Sequence, residues 1–155
     1  LREVLAAVTR VAGPERTGVR ISPLQPMNGM HDSDPWGTFS YVVRELNPFG
    51  LAYLHIAGMG EDEPGKAGPA FDLAELVPLF DGPVIRNYHY DQVWAEADVA
   101  AGRAAAVAFG VPFIANPDLV ERIRRDAPWN EPDASTFYGG GEKGYIDYPT
   151  LADLA

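Results

Sequence analysis

Leu1, Val4, Leu5, Val8 and Val11 recur at the i, i+3, i+4, i+7 spacing, which predicts an amphipathic helix from the first residue to Ala12. Gly13-Pro14 ends it. No capping residue precedes Leu1 and the chain does not open with Met, so this helix reads as cut from something longer. Gly18 to Pro23 is a short strand, stopped by a proline that cannot donate to a ladder. After a loop over 24–33, Asp34-Pro35 has the form of an N-cap followed by the first helical position. Phe39, Val42, Val43 and Leu46 give that helix its apolar stripe, and Asn47-Pro48 closes it.

The alternation continues. Leu51–Ile56 is a second strand, and residues 57–69, rich in Gly, Pro and charge, read as a mobile surface loop. Leu73–Phe80 is a weak helix, since Pro78 sits inside it. Pro83–Arg86 is a third strand, followed by a helix over Asp91–Ala101 with Asp91 as cap and Gly102 as stop. Ala105–Phe109 is a fourth strand, and Asn116-Pro117-Asp118 opens a last helix whose Leu119 and Ile123 face inward. From Pro128 the chain is a tail rich in proline, glycine and tyrosine.

Strands that alternate with helices predict an α/β fold with a parallel sheet. The strands read as apolar runs, the pattern of strands buried on both faces. A doubly wound sheet and part of a (β/α)₈ barrel both fit. A whole barrel takes about 250 residues, roughly 31 per unit. The 155 residues hold four units with a tail to spare, not eight. The expected organisation is one partial-barrel domain over 1–155: a preceding helix at 1–12, four βα units over 18–127 and a tail over 128–155.

Composition narrows the chemistry. There is no cysteine, which removes disulfides, Cys-zinc sites, Fe–S clusters and thiol nucleophiles. A net charge of −10 argues against nucleic acid, because the densest basic group, Arg122, Arg124 and Arg125, shares its stretch with Glu121 and Asp126. No apolar run reaches the roughly 18 residues of a membrane helix, and no signal-peptide pattern opens the chain. A cytoplasmic protein acting on small molecules, with no membrane partner, is the expectation.

In either architecture ligands meet the C-terminal ends of the strands. Those ends carry Arg20, His55, the stretch from Arg86 to Tyr90, and Gly110-Val111. Arg20 could face an electron-rich ligand or pair with a carboxylate. His55, on a core strand, is expected to be a hydrogen-bonded structural residue; His31 is expected in solvent; His89 directly follows a strand. No histidine has metal-ligand spacing, and no metal site is expected. Gly139-Gly140-Gly141 neither follows a strand nor opens a helix, which weakens it as a phosphate loop. The tail aromatics Phe137, Tyr138, Tyr145 and Tyr148 could line a flat ligand or staple the tail down.

Five motifs occur together and in order: Arg20-Ile21-Ser22-Pro23, Asn28 to Pro35, Leu51 to His55, Phe109 to Leu119 and Thr136 to Pro149. The set resembles the C-terminal half of the old yellow enzyme family of flavin-dependent ene-reductases, over essentially the whole chain. The resemblance implies strands five to eight of an FMN-containing (β/α)₈ barrel, with the opening helix as the fourth. It implies NADPH or NADH as reductant and an enone-type small molecule as substrate. Arg20 matches the arginine that lies against the flavin ring, where a fixed positive charge stabilises the anionic reduced cofactor. Tyr138 matches a tail tyrosine bordering the substrate pocket, and Gly110 a glycine whose N–H faces the FMN phosphate.

Two positions depart from the family pattern. Val111 stands where an arginine usually grips the phosphate, and valine cannot replace a charge-assisted fork. Tyr88 and His89 stand where two small residues usually let the backbone approach it, although the His89 N–H could still donate. The family's substrate-carbonyl donors lie on the fourth strand, upstream of this chain, so no catalytic residue is expected in this half and the 155 residues alone should be inactive. An FMN-free relative with a degraded phosphate site, or a half-barrel binding module, are the alternatives. The expected partner is the N-terminal half-barrel or a second copy.

Overall fold

The computed structural model describes residues 1–25, 29–58, 71–139 and 141–154, which fall into two compact units, 1–108 and 109–155. The first holds α1 (Arg2–Ala12), β1 (Gly18–Ile21), α2 (Pro35–Leu46), β2 (Tyr53–Ala57), β3 (Val84–Asn87), α3 (Gln92–Ala100) and β4 (Ala106–Ala108). The second holds α4 (Val111–Ala115) and α5 (Leu119–Arg124). Most of the loop expected over 57–69 lies outside the described residues, as does Gly140.

Local chemistry sets the boundaries. Asp34 accepts a hydrogen bond from the Gly37 N–H and Asp91 from the Trp94 N–H, so both expected caps form. Gly102, at φ 72°, follows the last turn of α3 as a stop. The weak helix is a 3₁₀ run, Leu73–Leu79, started by a capping box in which Asp72 accepts from Ala74 N–H and Glu75 reaches back to the Asp72 N–H. The short helix α4, with a proline in its first turn, was not foreseen.

The four strands form one parallel sheet in the order β1-β2-β3-β4. Register partners in parallel strands project to the same side. One face carries Ile21, Leu54, Ile56 and Val84, all 9% exposed or less, packed with Val43 and Leu46 of α2 and with Leu73, Leu76 and Phe80. The other carries the row Arg20, His55, Ile85, Ala106, flanked by Gly18 and Tyr53 and by Asn87. Arg20 and Tyr53 are exposed there, and His55, Ile85 and Asn87 are half-buried. Ala57, the register partner of Asn87, is 0% exposed on that face, so within this chain the second face is covered in part and the first throughout. Apolar Ile85 and Ala106 conceal the alternation when the strands are read as a string.

α1 begins one residue later than expected, at Arg2, and ends at Ala12 as expected; of its residues only Leu5 is buried, while Leu1, Val4, Val8 and Val11 remain exposed. With so little buried area its stability rests on propensity, and helices of this length are marginal in water on that basis. Hydrogen exchange on this chain is expected to show α1 as its least protected helix. Protection equal to that of α2 would contradict this.

Candidate functional site

Arg20 sits in β1 on the open face of the sheet. Its guanidinium donates to Asn87 Oδ1 at 3.4 Å and makes no ion pair among the described residues, so the bland pairing with a carboxylate is not what the structure shows. Asn87 in turn donates to the Ala108 carbonyl at 3.4 Å, bridging β1 to β4 across β3. Asn87 was missed as an individual candidate, since nothing local marks a residue whose role depends on a partner 67 positions away.

His55 is Arg20's register partner. Its Nε2 is buried and has no hydrogen-bond partner among the described residues, where a satisfied structural histidine was the expectation. Burial first, and then the charge of Arg20, lower its pKa from 6.5, so the neutral imidazole is favoured under the arginine. His31 is exposed, as expected.

Tyr88 and His89 directly follow β3 and take positive φ values of 135° and 49°. Their rings are in contact, tilted by 50° with centroids 4.1 Å apart. The backbone therefore keeps a shape natural to glycine at two positions that lack it. Beneath the turn lies Asp98 of α3, 1% exposed, bonded to Arg86, Tyr90 and Arg103. Burial opposes its ionisation, but hydrogen bonds from Tyr90 and Arg103 and the charges of Arg86 and Arg103 outweigh that and hold the carboxyl below 3.8.

These shifts fix an acid limb. A group whose pKa is lower in the folded state stabilises the fold above its unfolded value and loses that contribution as pH falls. Urea midpoints for this chain are expected to decline below pH 6.5, where unfolding lets His55 take up a proton, and more steeply below 3.8, where Asp98 joins. A flat profile between pH 7 and 3 would contradict both assignments.

In the second unit Gly110 precedes α4 with open space where a side chain would project, and Val111 begins α4 and is 45% exposed. Gly110, Phe113, Ile114, Pro117, Tyr145 and Tyr148 line a concavity of about 520 Å³. Tyr138 is fully exposed at φ 58°, its ring edge-on to Phe137. Tyr148 is engaged: its hydroxyl accepts the Asp133 N–H at 2.8 Å.

Arg122, which the sequence groups with Arg124 and Arg125, is 1% exposed. It donates to Asp118 Oδ1 and to the carbonyls of Pro128 and Pro149 at 2.6–2.7 Å. Asn116 and Asn130 exchange hydrogen bonds beside it, and Leu151 N–H donates to Asp118. The tail is thus fastened mainly by buried polar groups.

A family model described as the NADH:flavin oxidoreductase / NADH oxidase family matches residues 1–130. The chain belongs to this family, that of the old yellow enzymes. It is 38% identical over 151 residues to a Leishmania infantum protein named "Probable flavin mononucleotide-dependent alkene reductase", covering 97% of the chain and 40% of that relative. The old yellow enzyme of Trypanosoma cruzi superposes with a TM-score of 0.87 at 39% identity, over 97% of this chain and 39% of that one. A morphinone reductase solved in complex with tetrahydroNAD does so with a TM-score of 0.84 at 46% identity, over 97% and 40%. This old yellow enzyme family member thus spans about two fifths of the length of these three relatives. Among its described residues no helix is long and apolar enough to cross a membrane, and no three His, Asp or Glu side chains gather as metal ligands.

Proposed function

We propose that the chain supplies strands five to eight of a (β/α)₈ barrel, with α1 as the fourth helix, in an FMN enzyme that takes reducing equivalents from NAD(P)H and reduces an activated C=C bond of an enone-type small molecule. Bound FMN supplies the hydride chemistry. Arg20 carries the reading: an exposed guanidinium with no carboxylate partner among the described residues, on the open face of a parallel sheet, offers a fixed positive charge to the electron-rich edge of the cofactor ring. Asn87 orients it. The amides of the Tyr88-His89 turn and of Gly110 are the candidates for holding the phosphate, and Tyr138 for bordering the substrate. The upstream part of the barrel would supply the donors to the substrate carbonyl, with cytoplasm as the proposed compartment.

Val111 fits this reading least. It is apolar and half-exposed at a position where the family pattern has a phosphate-gripping arginine, and this favours the second reading, a relative that has given up FMN. The absorbance spectrum of the complete protein decides between them. Flavin bands in the purified protein, or after reloading with FMN, support the enzyme; a colourless protein that cannot be reloaded overturns it. Because Val111 is half-exposed, an arginine has room there. Val111→Arg in the complete protein is expected to tighten FMN binding about ten- to a hundredfold, the worth of a charged hydrogen-bonded contact of roughly 1.5–3 kcal/mol. FMN titration reads it, and an unchanged affinity would show that the phosphate is already neutralised elsewhere.

A further inference from the structure

Two adjacent non-glycine residues with positive φ need a cause. Each is strained for an L-residue and persists only where the surroundings over-determine it. Tyr88 and His89 are bracketed by Arg86, the last but one residue of β3, and by Tyr90. Both brackets end on the same atom. Arg86 Nη1 donates to Asp98 Oδ2 at 2.8 Å, and the Tyr90 hydroxyl donates to that oxygen at 2.5 Å. The other oxygen, Oδ1, is held by the Nε and Nη2 of Arg103, each at 2.7 Å. Trp94, one turn before Asp98 on α3, stacks on the Tyr90 ring at 4.2 Å. The carboxylate is saturated, 1% exposed and fixed at both oxygens, so the two ends of the turn are tied to a rigid point.

We propose that Asp98 is a positioning residue: by holding Arg86 and Tyr90 on one carboxylate oxygen it imposes a glycine-like backbone on Tyr88-His89 and aims the amides of that turn at the FMN phosphate. This rests on the flavin reading above. It also resolves the loss of small residues at 88 and 89, because a clamp at both ends replaces the conformational freedom that glycine would supply. Neutralising two arginines would need only charge at Asp98. The placement of the tyrosine hydroxyl on the same oxygen as Arg86 is what closes the clamp around the turn. Burial, and then the bond to Asp98, raise the pKa of the Tyr90 phenol well above its usual value, so it remains a donor throughout the working pH range.

The test uses the complete protein with FMN and riboflavin as probes, because their affinity ratio isolates the phosphate. Tyr90→Phe releases one end of the clamp and leaves the ion pairs in place; Asp98→Asn is the second variant. Tyr90→Phe is expected to shrink the preference for FMN over riboflavin about tenfold while riboflavin affinity stays constant. Adding Tyr88→Gly and His89→Gly is expected to restore the preference, since glycine takes positive φ without restraint. Hydrogen exchange gives a readout that needs no flavin: in Tyr90→Phe the amides of 88–90 should exchange at least tenfold faster, with the rest of β3 and α3 unchanged. An unchanged ratio and unchanged exchange in a parent that prefers FMN overturn the clamp while leaving the flavin reading intact. Equal loss of both ligands without glycine rescue also overturns it, as the mark of a merely structural role. A parent that binds neither flavin refutes the flavin reading and the aim at a phosphate together, and faster exchange confined to the turn would then uphold only the clamp itself.

Discussion

Arg122→Ala is expected to destabilise the 109–155 unit by about 2–3 kcal/mol, the scale of a large buried side chain lost together with the hydrogen bonds it donates. The side chain is 1% exposed and is the largest fully buried one among the described residues. Its removal leaves a cavity and takes the hydrogen-bond donor from the carbonyls of Pro128 and Pro149, which lie 6 and 27 positions along the chain. Little apolar core stands behind it: Leu119 and Ala115 are the buried hydrophobic residues of that unit. Urea unfolding should show the loss, and limited proteolysis should open new cleavage sites between 128 and 151. Arg124 and Arg125 supply the control, being 72% and 65% exposed in their pairs with Glu121. Alanine at either should cost under about 0.5 kcal/mol, as surface ion pairs do. If Arg122→Ala also stayed within that range, the tail would have to be held by its aromatics.

Arg20→Ala in the complete protein is expected to slow flavin reduction by NAD(P)H about 10²- to 10³-fold, or roughly 2.7–4 kcal/mol, the effect of removing one preorganised electrostatic stabiliser. The fold should tolerate the change, because among the described residues Arg20 is held by one long hydrogen bond, to Asn87 at 3.4 Å. Arg20→Lys should recover part of the rate, since it keeps the charge and loses the planar fork. Anaerobic stopped-flow absorbance measures the step directly. Unchanged rates in a folded variant would remove Arg20 from the proposed role.

Much of the fold is legible in short stretches. Asp34 and Asp91 are legible as caps because a cap needs only the three residues after it. The capping box of Asp72 and Glu75 is equally local, and it starts a helix that Pro78 keeps short and 3₁₀. The strand ends differ from expectation by at most two residues, and pairing with a neighbour decides the boundary there. Among site residues Arg20 was legible from its strand-end position and the motif around it. The orphaned His55 Nε2 was not, since hydrogen-bond satisfaction depends on what lies across the sheet.

The sequence by itself determined the order of strands and helices, the parallel α/β class and, through five ordered motifs, the family. These follow from periodicity, capping and turn chemistry, which act over a few residues, and from residue identity. Only the tertiary structure decided which face of the sheet is open, that Arg122 is buried, and that Arg86 and Tyr90 converge on Asp98. Each of those facts depends on contacts across the fold. A guanidinium is solvated on one helix face and buried on the next according to what chain returns to cover it, and for Arg122 that chain is a tail 27 residues further on.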